Sequence, residues 1–114
     1  MINYETFSQM ELRVATITGA ERVEKSEKLI KLQLDLGERD ATNLPTGRQV
    51  VAGIGKAYEP EQLVNTQIII VANLEPRALM GIESNGMLLA ARDESEKPVL
   101  LRPEKPVPPG SKIN

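Results

Sequence analysis

The alternation of apolar and polar residues predicts a chain built mainly from short β-strands. From Ile30 to Leu36 an apolar side chain occupies every second position, and Gly37 ends the run. A period of two is typical of a strand with one buried face. Residues 12–23 are rich in β-branched residues, which indicates a long strand, and Gly19 within them indicates a bulge or a sharp bend.

Three more strands are predicted further along the chain. Residues 49–54 again carry apolar side chains at alternate positions, which predicts a third strand. Residues 67–74 contain a continuous apolar run, typical of a strand buried on both faces or of one strand of a closed barrel. Residues 87–91 predict the fifth strand.

Helical spacing is limited to two short segments. Tyr4, Phe7 and Met10 recur at helical spacing after Asn3, whose side chain suits an N-cap, so a short amphipathic helix is predicted at the start of the chain. Residues 59–64 predict a single helical turn, because a proline is favoured at the first helical position and acidic residues suit the first turn.

Two connections and a tail complete the predicted elements. Residues 38–48 show neither periodicity and contain Pro45 and Gly47, so we expect an exposed connection. Residues 75–86 resemble a loop. From Val99 onward the chain is rich in proline, which predicts an extended tail lying over the rest of the fold.

These elements favour an all-β fold formed by residues 1–114 as a single domain. Five short strands with one helical turn between the third and the fourth fit a five-stranded barrel of the oligonucleotide/oligosaccharide-binding type, the OB-fold, with a short N-terminal helix and an extended C-terminal tail. A β-sandwich is the alternative.

The composition excludes most catalytic chemistry. The 114 residues contain no Cys and no His, so a Cys/His zinc site, a thiol nucleophile and a Ser-His-Asp triad are all excluded. No phosphate-binding glycine motif and no metal-ligand spacing appears, and we therefore expect no enzyme activity, no cofactor and no metal. The absence of cysteine, of a secretory signal at Met1 and of a long apolar run favours a cytoplasmic protein without a membrane partner.

Charge provides the first functional hypothesis. Fourteen basic residues face 16 acidic ones, for a net charge of -2, so any binding of a polyanion requires a local patch. Such a patch would form if Lys28, Lys31, Lys56 and Arg77 met at one end of the barrel. The alternative for the charged residues 24–31 is a solvated turn, which is the commoner outcome for alternating charges.

The segment 73–87 is the second candidate, because loops on a rigid barrel commonly carry function. Its structural interpretation is that Asn73 and Ser84 satisfy backbone groups, while Met80 and Met87 close the mouth of the barrel. The spacing alone favours that interpretation.

Aromatic residues limit the kind of nucleic acid that the barrel would bind. The chain has only two Tyr and one Phe, and two of these three lie in the predicted first helix, so the barrel lacks a stacking platform for a single strand. Folded RNA held through phosphates, 2′-hydroxyls and shape is the favoured ligand if the barrel binds RNA.

Several motifs together resemble the tRNA-binding domain family, which occurs as a free-standing dimer and at the C-terminus of methionyl-tRNA synthetases. The resemblance covers nearly the whole chain, and the long signature at residues 73–87 together with the closing residues 108–111 makes it specific. The matching segments are residues 12–14, 26–29, 35–37, 50–54, 58–63, 73–87 and 108–111.

The resemblance implies an OB-fold whose helix and tail pack against a second copy to form a symmetric homodimer. It also implies binding to the outer corner of tRNA, with Lys28, Asn73, Ser84 and Met87 as the contact residues. Charge and placement add Lys31, Lys56 and Arg77 to this set.

Three departures from the family pattern bear on the site. Glu75 and Ala78 occupy positions where relatives often carry basic residues, although Arg77 restores one charge. Residues 39–47 resemble an insertion near the binding face, which would cover the site or add Arg48 to it. Ala52 replaces a usual serine.

The leading hypothesis is a non-catalytic tRNA-binding module that assists a methionyl-tRNA synthetase, whose catalytic chain would be a further partner. The alternative is a homodimer similar to the secretion chaperones of the same family, which would bind extended peptides in an apolar groove near Met80 and Met87. A third interpretation is a dimerisation appendage without a ligand. Met1 and the closing tail favour a complete unit over an excised synthetase domain.

Overall fold

Two short helices and ten β-strands make up the computed structural model, which describes residues 1–114. The helices are α1 (Tyr4–Ser8) and α2 (Pro60–Leu63). The strands are β1 (Leu12–Arg22), β2 (Ile30–Asp35), β3 (Arg48–Ala52), β4 (Gln67–Val71), β5 (Arg77–Leu79), β6 (Ile82–Ser84), β7 (Met87–Leu88), β8 (Ala90–Arg92), β9 (Pro98–Leu100) and β10 (Lys112–Ile113).

Five strands form the barrel in the order β3-β2-β1-β4-β7, each antiparallel to its neighbours. Hydrogen bonds bridge the remaining seam: Ser84 Oγ accepts from the Val51 amide at 2.9 Å, the Asn85 amide donates to the Gln49 carbonyl at 2.8 Å, and Gln49 Nε2 donates to the Glu83 carbonyl at 2.8 Å. The barrel is therefore nearly closed. The predicted five-stranded OB-type barrel is confirmed, and the β-sandwich alternative is wrong.

The first strand, β1, is long because successive parts of it pair with two other strands of the barrel. Residues 12–16 pair with β4, and residues 16–22 pair with β2. The register shifts between Ile17 and Gly19, so the predicted bulge at Gly19 is confirmed. A bulge increases the local twist of a strand, which allows β1 to curve from one side of the barrel to the other.

The core is filled by the inward-facing side chains of the barrel strands. In β2 the residues Ile30, Leu32 and Leu34 are buried while the residues between them are not, as their alternation predicted. The helix α2 contributes Leu63, which is fully buried. Full burial of a leucine side chain typically stabilises a fold by about 1.5 to 3 kcal/mol relative to leaving it exposed. The predicted helical turn starts at Pro60 and is thus confirmed.

The predicted N-terminal helix is also confirmed as α1. Asn3 is its N-cap, and the Asn3 Oδ1 atom accepts a hydrogen bond from the Thr6 amide at 2.9 Å. None of the five residues of α1 is buried. No helix of the structure is both long and apolar enough to cross a membrane.

The interpretation of residues 75–86 as a loop is wrong, because most of them form a hairpin. Its strands β5 and β6 pair Arg77 with Ser84 and Leu79 with Ile82. Met80 and Gly81 form the turn, and both have positive φ angles, of 50° and 78°. Two positive φ angles are typical of a tight hairpin turn, but methionine is an uncommon residue there.

The predicted fifth strand, at residues 87–91, is split in two. Only β7 pairs with β4 in the barrel, whereas β8 leaves the barrel and pairs with β9. The change of partner occurs at Leu89, whose amide donates to the Ile69 carbonyl of the barrel and whose carbonyl accepts from the Leu101 amide. The prediction erred because no glycine, proline or polar residue marks this change.

From Leu101 onward the C-terminal tail lies over the barrel in an extended conformation, as predicted. The predicted start at Val99 is wrong, because Val99 and Leu100 belong to β9 and Leu100 is buried in the core. The Gln67 side chain holds it by donating to the Val107 carbonyl at 2.7 Å and accepting from the Val107 amide at 3.1 Å. Further along, the Gly110 amide donates to the Val14 carbonyl at 2.7 Å, and β10 then pairs with the start of β1. The tail therefore shields part of the edge that β1 would otherwise expose.

The connection at residues 38–48 is exposed, as predicted, yet it is internally ordered. Arg39 and Pro45 form an isolated β-bridge across it. The Asp40 carboxylate accepts hydrogen bonds from the Thr42 hydroxyl and from the amides of Thr42 and Leu44. These bonds, that of the Thr42 hydroxyl above all, favour the charged form and lower the pKa of Asp40 below its usual value.

Candidate RNA-binding site

Three basic side chains line one open cavity of about 380 Å³, which we call the cationic cavity. None of its lining residues is acidic, although acidic residues outnumber basic ones in the chain. Its lining includes Lys28, Arg77, Leu79, Met87, Arg92 and Pro98. The cavity thus combines a positively charged rim with apolar walls.

Lys28 reaches the cavity from the turn between β1 and β2. Ser26 orders that turn, because Ser26 Oγ accepts hydrogen bonds from the amides of Lys28 at 3.3 Å and of Leu29 at 3.0 Å. The Lys28 stem passes over Gly53, where an added Cβ would lie 2.8 Å from the Lys28 Cε atom. The missing side chain at position 53 therefore provides the room that Lys28 occupies.

Arg22 holds the same turn through hydrogen bonds to its backbone, a role that the sequence analysis missed. Its Nη1 atom donates to the Gly55 carbonyl at 2.8 Å and to the Glu27 carbonyl at 3.2 Å. Its Nη2 atom pairs with Glu59 Oε2 at 3.0 Å, and the Gly55 amide donates to the Lys28 carbonyl at 2.6 Å. Arg22 therefore joins the turn that carries Lys28 to the start of α2.

Arg77 is the first residue of β5 and approaches the cavity from the opposite hairpin. Its register partner is Ser84, whose hydroxyl fastens the hairpin to Val51 of β3. A second link is the 2.8 Å hydrogen bond from Gln49 Nε2 to the Glu83 carbonyl. Arg77 is exposed and has no carboxylate within ion-pairing distance.

Met87 lies between the basic residues as part of the apolar wall. It is the first residue of β7 and is 47% exposed, so its side chain is available to a ligand. An adjoining groove shares Met87 and Arg77 but also includes Glu75, which reduces the positive potential on that side. Met80 is exposed at the hairpin turn and does not line the cationic cavity.

Asn73 and Ser84 have their polar groups engaged within the fold. Asn73 Oδ1 accepts from the Glu11 amide at 2.9 Å, and Asn73 Nδ2 donates to the Gln9 carbonyl at 2.7 Å. Ser84 is 2% exposed, and its hydroxyl donates to the Gly86 carbonyl as well as accepting from β3. These contacts match the structural interpretation of both residues.

Lys31 and Lys56 do not line the cationic cavity. Lys31 Nζ lies 2.6 Å from Glu21 Oε1, so an acidic neighbour on β1 balances its charge. Lys56 is exposed in the turn before α2, next to Gly55, which contacts the Lys28 turn. The structure therefore brings together Lys28, Arg77 and Met87 out of the predicted set.

Arg48 and the ordered connection at residues 38–48 lie away from the cavity. Arg48 binds both carboxylate oxygens of Glu38, at 3.2 and 2.8 Å, and its Nη1 donates to the Ala72 carbonyl at 2.5 Å. The connection joins the first residue of β3, whereas the cavity is lined by residues 51–54 at the other end of that strand. The 39–47 segment neither covers the cavity nor adds Arg48 to it.

Arg92 is the basic residue that the sequence analysis did not select. It is the last residue of β8, and its Nη1 donates to the Glu96 carbonyl at 3.0 Å. It reaches the cavity only because β8 leaves the barrel to pair with β9. The single fifth strand predicted at residues 87–91 gave no reason to place Arg92 near Lys28.

The arrangement is suited to binding an anionic ligand. No group of three or more acidic, His or Cys side chains is placed to hold a metal ion. Lysine and arginine side chains on the rim of an acid-free cavity are typical of phosphate contacts.

Methionine–tRNA ligases from two organisms are similar to this chain in sequence. Methionine–tRNA ligase of Methanococcoides burtonii is 45% identical over 114 residues, which cover 100% of this chain and 16% of the ligase. Methionine–tRNA ligase of Caldanaerobacter subterraneus subsp. tengcongensis is 54% identical over 113 residues, which cover 99% of this chain and 16% of the ligase. The chain thus spans 16% of the length of these relatives.

Solved structures with the same fold include a MetRS related protein from Pyrococcus horikoshii, with a TM-score of 0.88 and 32% identity over 99% of this chain and 97% of that one. The chaperone CsaA from Bacillus anthracis str. Ames has a TM-score of 0.83 and 33% identity over 100% of this chain and 99% of that one. The family model described as "Putative tRNA binding domain" matches residues 12–112. The chain belongs to this tRNA-binding domain family.

Proposed function

We propose that residues 1–114 act as one non-catalytic tRNA-binding domain, which holds the outer corner of tRNA through phosphate and shape contacts at the cationic cavity. The observation that carries the proposal is the acid-free cavity between Lys28 and Arg77 in a chain of net charge -2. Because the whole molecule offers no attractive field, a local basic site has to supply the electrostatic part of binding.

Each predicted site residue has a distinct role in this proposal. Lys28 and Arg77 contact phosphates, and Met87 packs against a sugar or a base edge between them. Asn73 and Ser84 position the surrounding segments, as their internal hydrogen bonds favour.

Lys56 extends the positive surface from the neighbouring turn. Lys31 joins it only after leaving Glu21, and a partly exposed ion pair of this kind is worth less than about 1 kcal/mol. Lys31 and Lys56 therefore contribute less to binding than Lys28 and Arg77 do.

We further infer that the domain assists a methionyl-tRNA synthetase catalytic chain in the cytoplasm. A tethered tRNA-binding domain raises the local concentration of tRNA near a catalytic chain without making new contacts to it. The supporting observation is that the methionine–tRNA ligase of Caldanaerobacter subterraneus subsp. tengcongensis carries a segment 54% identical to this chain.

Binding to total tRNA should weaken steeply as salt rises. With Lys28 and Arg77 each neutralising one phosphate, we expect each to contribute about -0.7 to -0.9 to the slope of log association constant against log salt concentration. The measurement is a filter-binding titration between about 50 mM and about 200 mM salt. The variants Lys28→Gln and Arg77→Gln should each reduce the slope by that amount.

Lys105→Gln is the matched control, because Lys105 is an exposed lysine that lines a different groove under the tail. It should leave the slope unchanged. Binding that is independent of salt, no binding to total tRNA, or an equal loss of slope in the control would each contradict the proposal.

We also propose a symmetric homodimer formed through the face that holds α1 and β10. A groove of about 230 Å³ there is lined by Tyr4, Phe7, Met10 and Ile113 among others. A five-residue helix with no buried residue is too short to be stable in water by itself, so we expect a second copy to cover it. The exposed Met1 and the other apolar residues of this end would then be buried.

Light scattering should give twice the mass of one chain, and Phe7→Asp should convert the protein to monomers by placing a charge in the interface. Leu44→Asp is the control, since Leu44 is 60% exposed and does not line this groove. A wild-type monomer, or a dimer that tolerates Phe7→Asp, would remove this part of the proposal.

A second candidate function is binding of extended peptides, as in a chaperone. The specific observation is the apolar part of the cavity wall at Leu79, Met87 and Pro98, and CsaA from Bacillus anthracis str. Ames has the same fold. A parallel titration with an unfolded polypeptide and with total tRNA distinguishes the two. Tight binding of the polypeptide without salt-dependent binding of tRNA would favour the second candidate.

A further inference from the structure

Three basic residues around the cationic cavity form no ion pair with a carboxylate. Four other basic residues of the chain pair with a carboxylate within 4.0 Å: Arg13, Arg22, Lys31 and Arg48. Lys28, Arg77 and Arg92 have no such partner, and the cavity that they share contains no acidic residue. An anion entering this cavity therefore meets positive charge from three separate segments.

Arg92 is held in place by the short hairpin that carries it. It pairs with Pro98 across β8 and β9, and its guanidinium caps the hairpin end through the Glu96 carbonyl at 3.0 Å. Asp93, its acidic neighbour, directs one carboxylate oxygen to the amides of Ser95 at 2.8 Å and Lys97 at 3.0 Å. Asp93 is thus engaged in forming the turn, and no carboxylate lies within 4.0 Å of the Arg92 guanidinium.

The size and walls of the cavity indicate what lies next to the anion. A volume of about 380 Å³ is far more than a single bound ion requires, because a water molecule takes up about 30 Å³ in the liquid. Leu79, Met87 and Pro98 line the same space, and such walls favour an uncharged, flat or apolar group beside the charged one. A phosphate with its attached ribose and base has both parts.

We propose that the cationic cavity takes one nucleotide unit of the bound tRNA, with Arg92 as a third phosphate-binding residue beside Lys28 and Arg77. This inference rests on the proposed tRNA-binding function and adds the β8–β9 hairpin to the binding surface. The phosphate lies among the three cations, and the ribose and base contact Met87 and its apolar neighbours. An unstacked base is accommodated without an aromatic platform, because methionine and arginine side chains supply the contact surface.

The first test is tRNA binding by Arg92→Gln at two salt concentrations. Losing one phosphate contact should make the loss of affinity about threefold larger at about 50 mM than at about 200 mM salt. Arg92→Lys should retain most of the affinity, because lysine keeps the positive charge. Only the hydrogen-bond geometry of the guanidinium is lost in this variant. Arg102 is an exposed arginine of the tail that lines a different groove, so Arg102→Gln is the matched control and should bind like the wild type.

The second test separates a nucleotide site from a simple anion site. The four methionine methyl groups are observed by NMR with ¹³C labelling, and Met87→Leu assigns the cavity signal. Adenosine 5′-monophosphate should shift the Met87 signal at several-fold lower concentration than inorganic phosphate does. The Met80 signal, from outside the cavity, should stay unchanged with both.

The outcomes of these tests are distinguishable from failure of the function itself. A wild-type protein that does not bind tRNA removes the proposed function and this inference with it. A wild-type protein that binds tRNA, together with an Arg92→Gln variant of equal affinity and slope, removes only the role of Arg92. Equal shifts with phosphate and with the nucleotide, or no shift with either, remove the nucleotide site.

Discussion

Replacing Gly110 with alanine should lower the free energy of unfolding by about 3 kcal/mol. Gly110 has a φ of +86°, and a Cβ added to it would lie only 2.1 Å from the Leu36 carbonyl oxygen. That contact is with backbone, so no side-chain rotation relieves it, and the tail has to move away from the barrel. The hydrogen bonds to Val14 and from Arg13 Nη1 to the Gly110 carbonyl are then lost.

Urea denaturation measures this change. The Val14 amide donates to the Ser111 carbonyl of the tail at 2.9 Å, so hydrogen exchange at this amide reports whether the tail has detached. Gly81→Ala is the matched control, because Gly81 also has a positive φ of 78° but has nothing within 4 Å of the added Cβ. It should be destabilising by about 1 kcal/mol, the strain of the backbone conformation alone. Equal losses in the two variants would show that the close approach to Leu36 has no energetic importance.

Removing the Ser84 hydroxyl should lower the free energy of unfolding by about 2 kcal/mol, because it leaves a buried donor without a partner. In Ser84→Ala the Val51 amide, in a residue that is 5% exposed, loses the oxygen that accepts its hydrogen bond at 2.9 Å. The contact between β3 and the β5–β6 hairpin loosens, and the position of Arg77 on that hairpin becomes less fixed. Faster hydrogen exchange at the Val51 amide should accompany the change.

Ser95→Ala is the control for this substitution, since Ser95 is exposed and only its backbone amide forms a hydrogen bond. Its free energy of unfolding should stay within about 0.5 kcal/mol of the wild type. An unaltered stability of Ser84→Ala would mean that another group or a water molecule satisfies the Val51 amide.

The fold could be predicted from the sequence where one local signal determines the structure. The alternation from Ile30 to Leu36, the capping residue Asn3 and the glycine at position 19 each specify their own element, and all three predictions are confirmed. The β5–β6 hairpin was missed because its turn at Met80 and Gly81 lacks the asparagine–glycine pair that usually marks such turns.

The candidate site was predicted only in part because its geometry depends on contacts between distant segments. Charge and placement pointed to Lys28 and Arg77, which do line one cavity. The pairing of Lys31 with Glu21 depends on the register of β1 and β2, which the sequence does not reveal. Arg92 was overlooked because the strand that carries it changes partner after β7, and no residue pattern indicates that change.

The two ends of the chain lie side by side, since Tyr4 and Asn114 line the same groove. A short flexible segment would therefore join them, and the exposed 38–48 connection, at the far end of β3 from the cavity, offers a place to open new ends. Circular permutation at that connection would retain every barrel pairing and leave the cationic cavity intact. The binding surface thus does not depend on the order in which the strands follow one another along the chain.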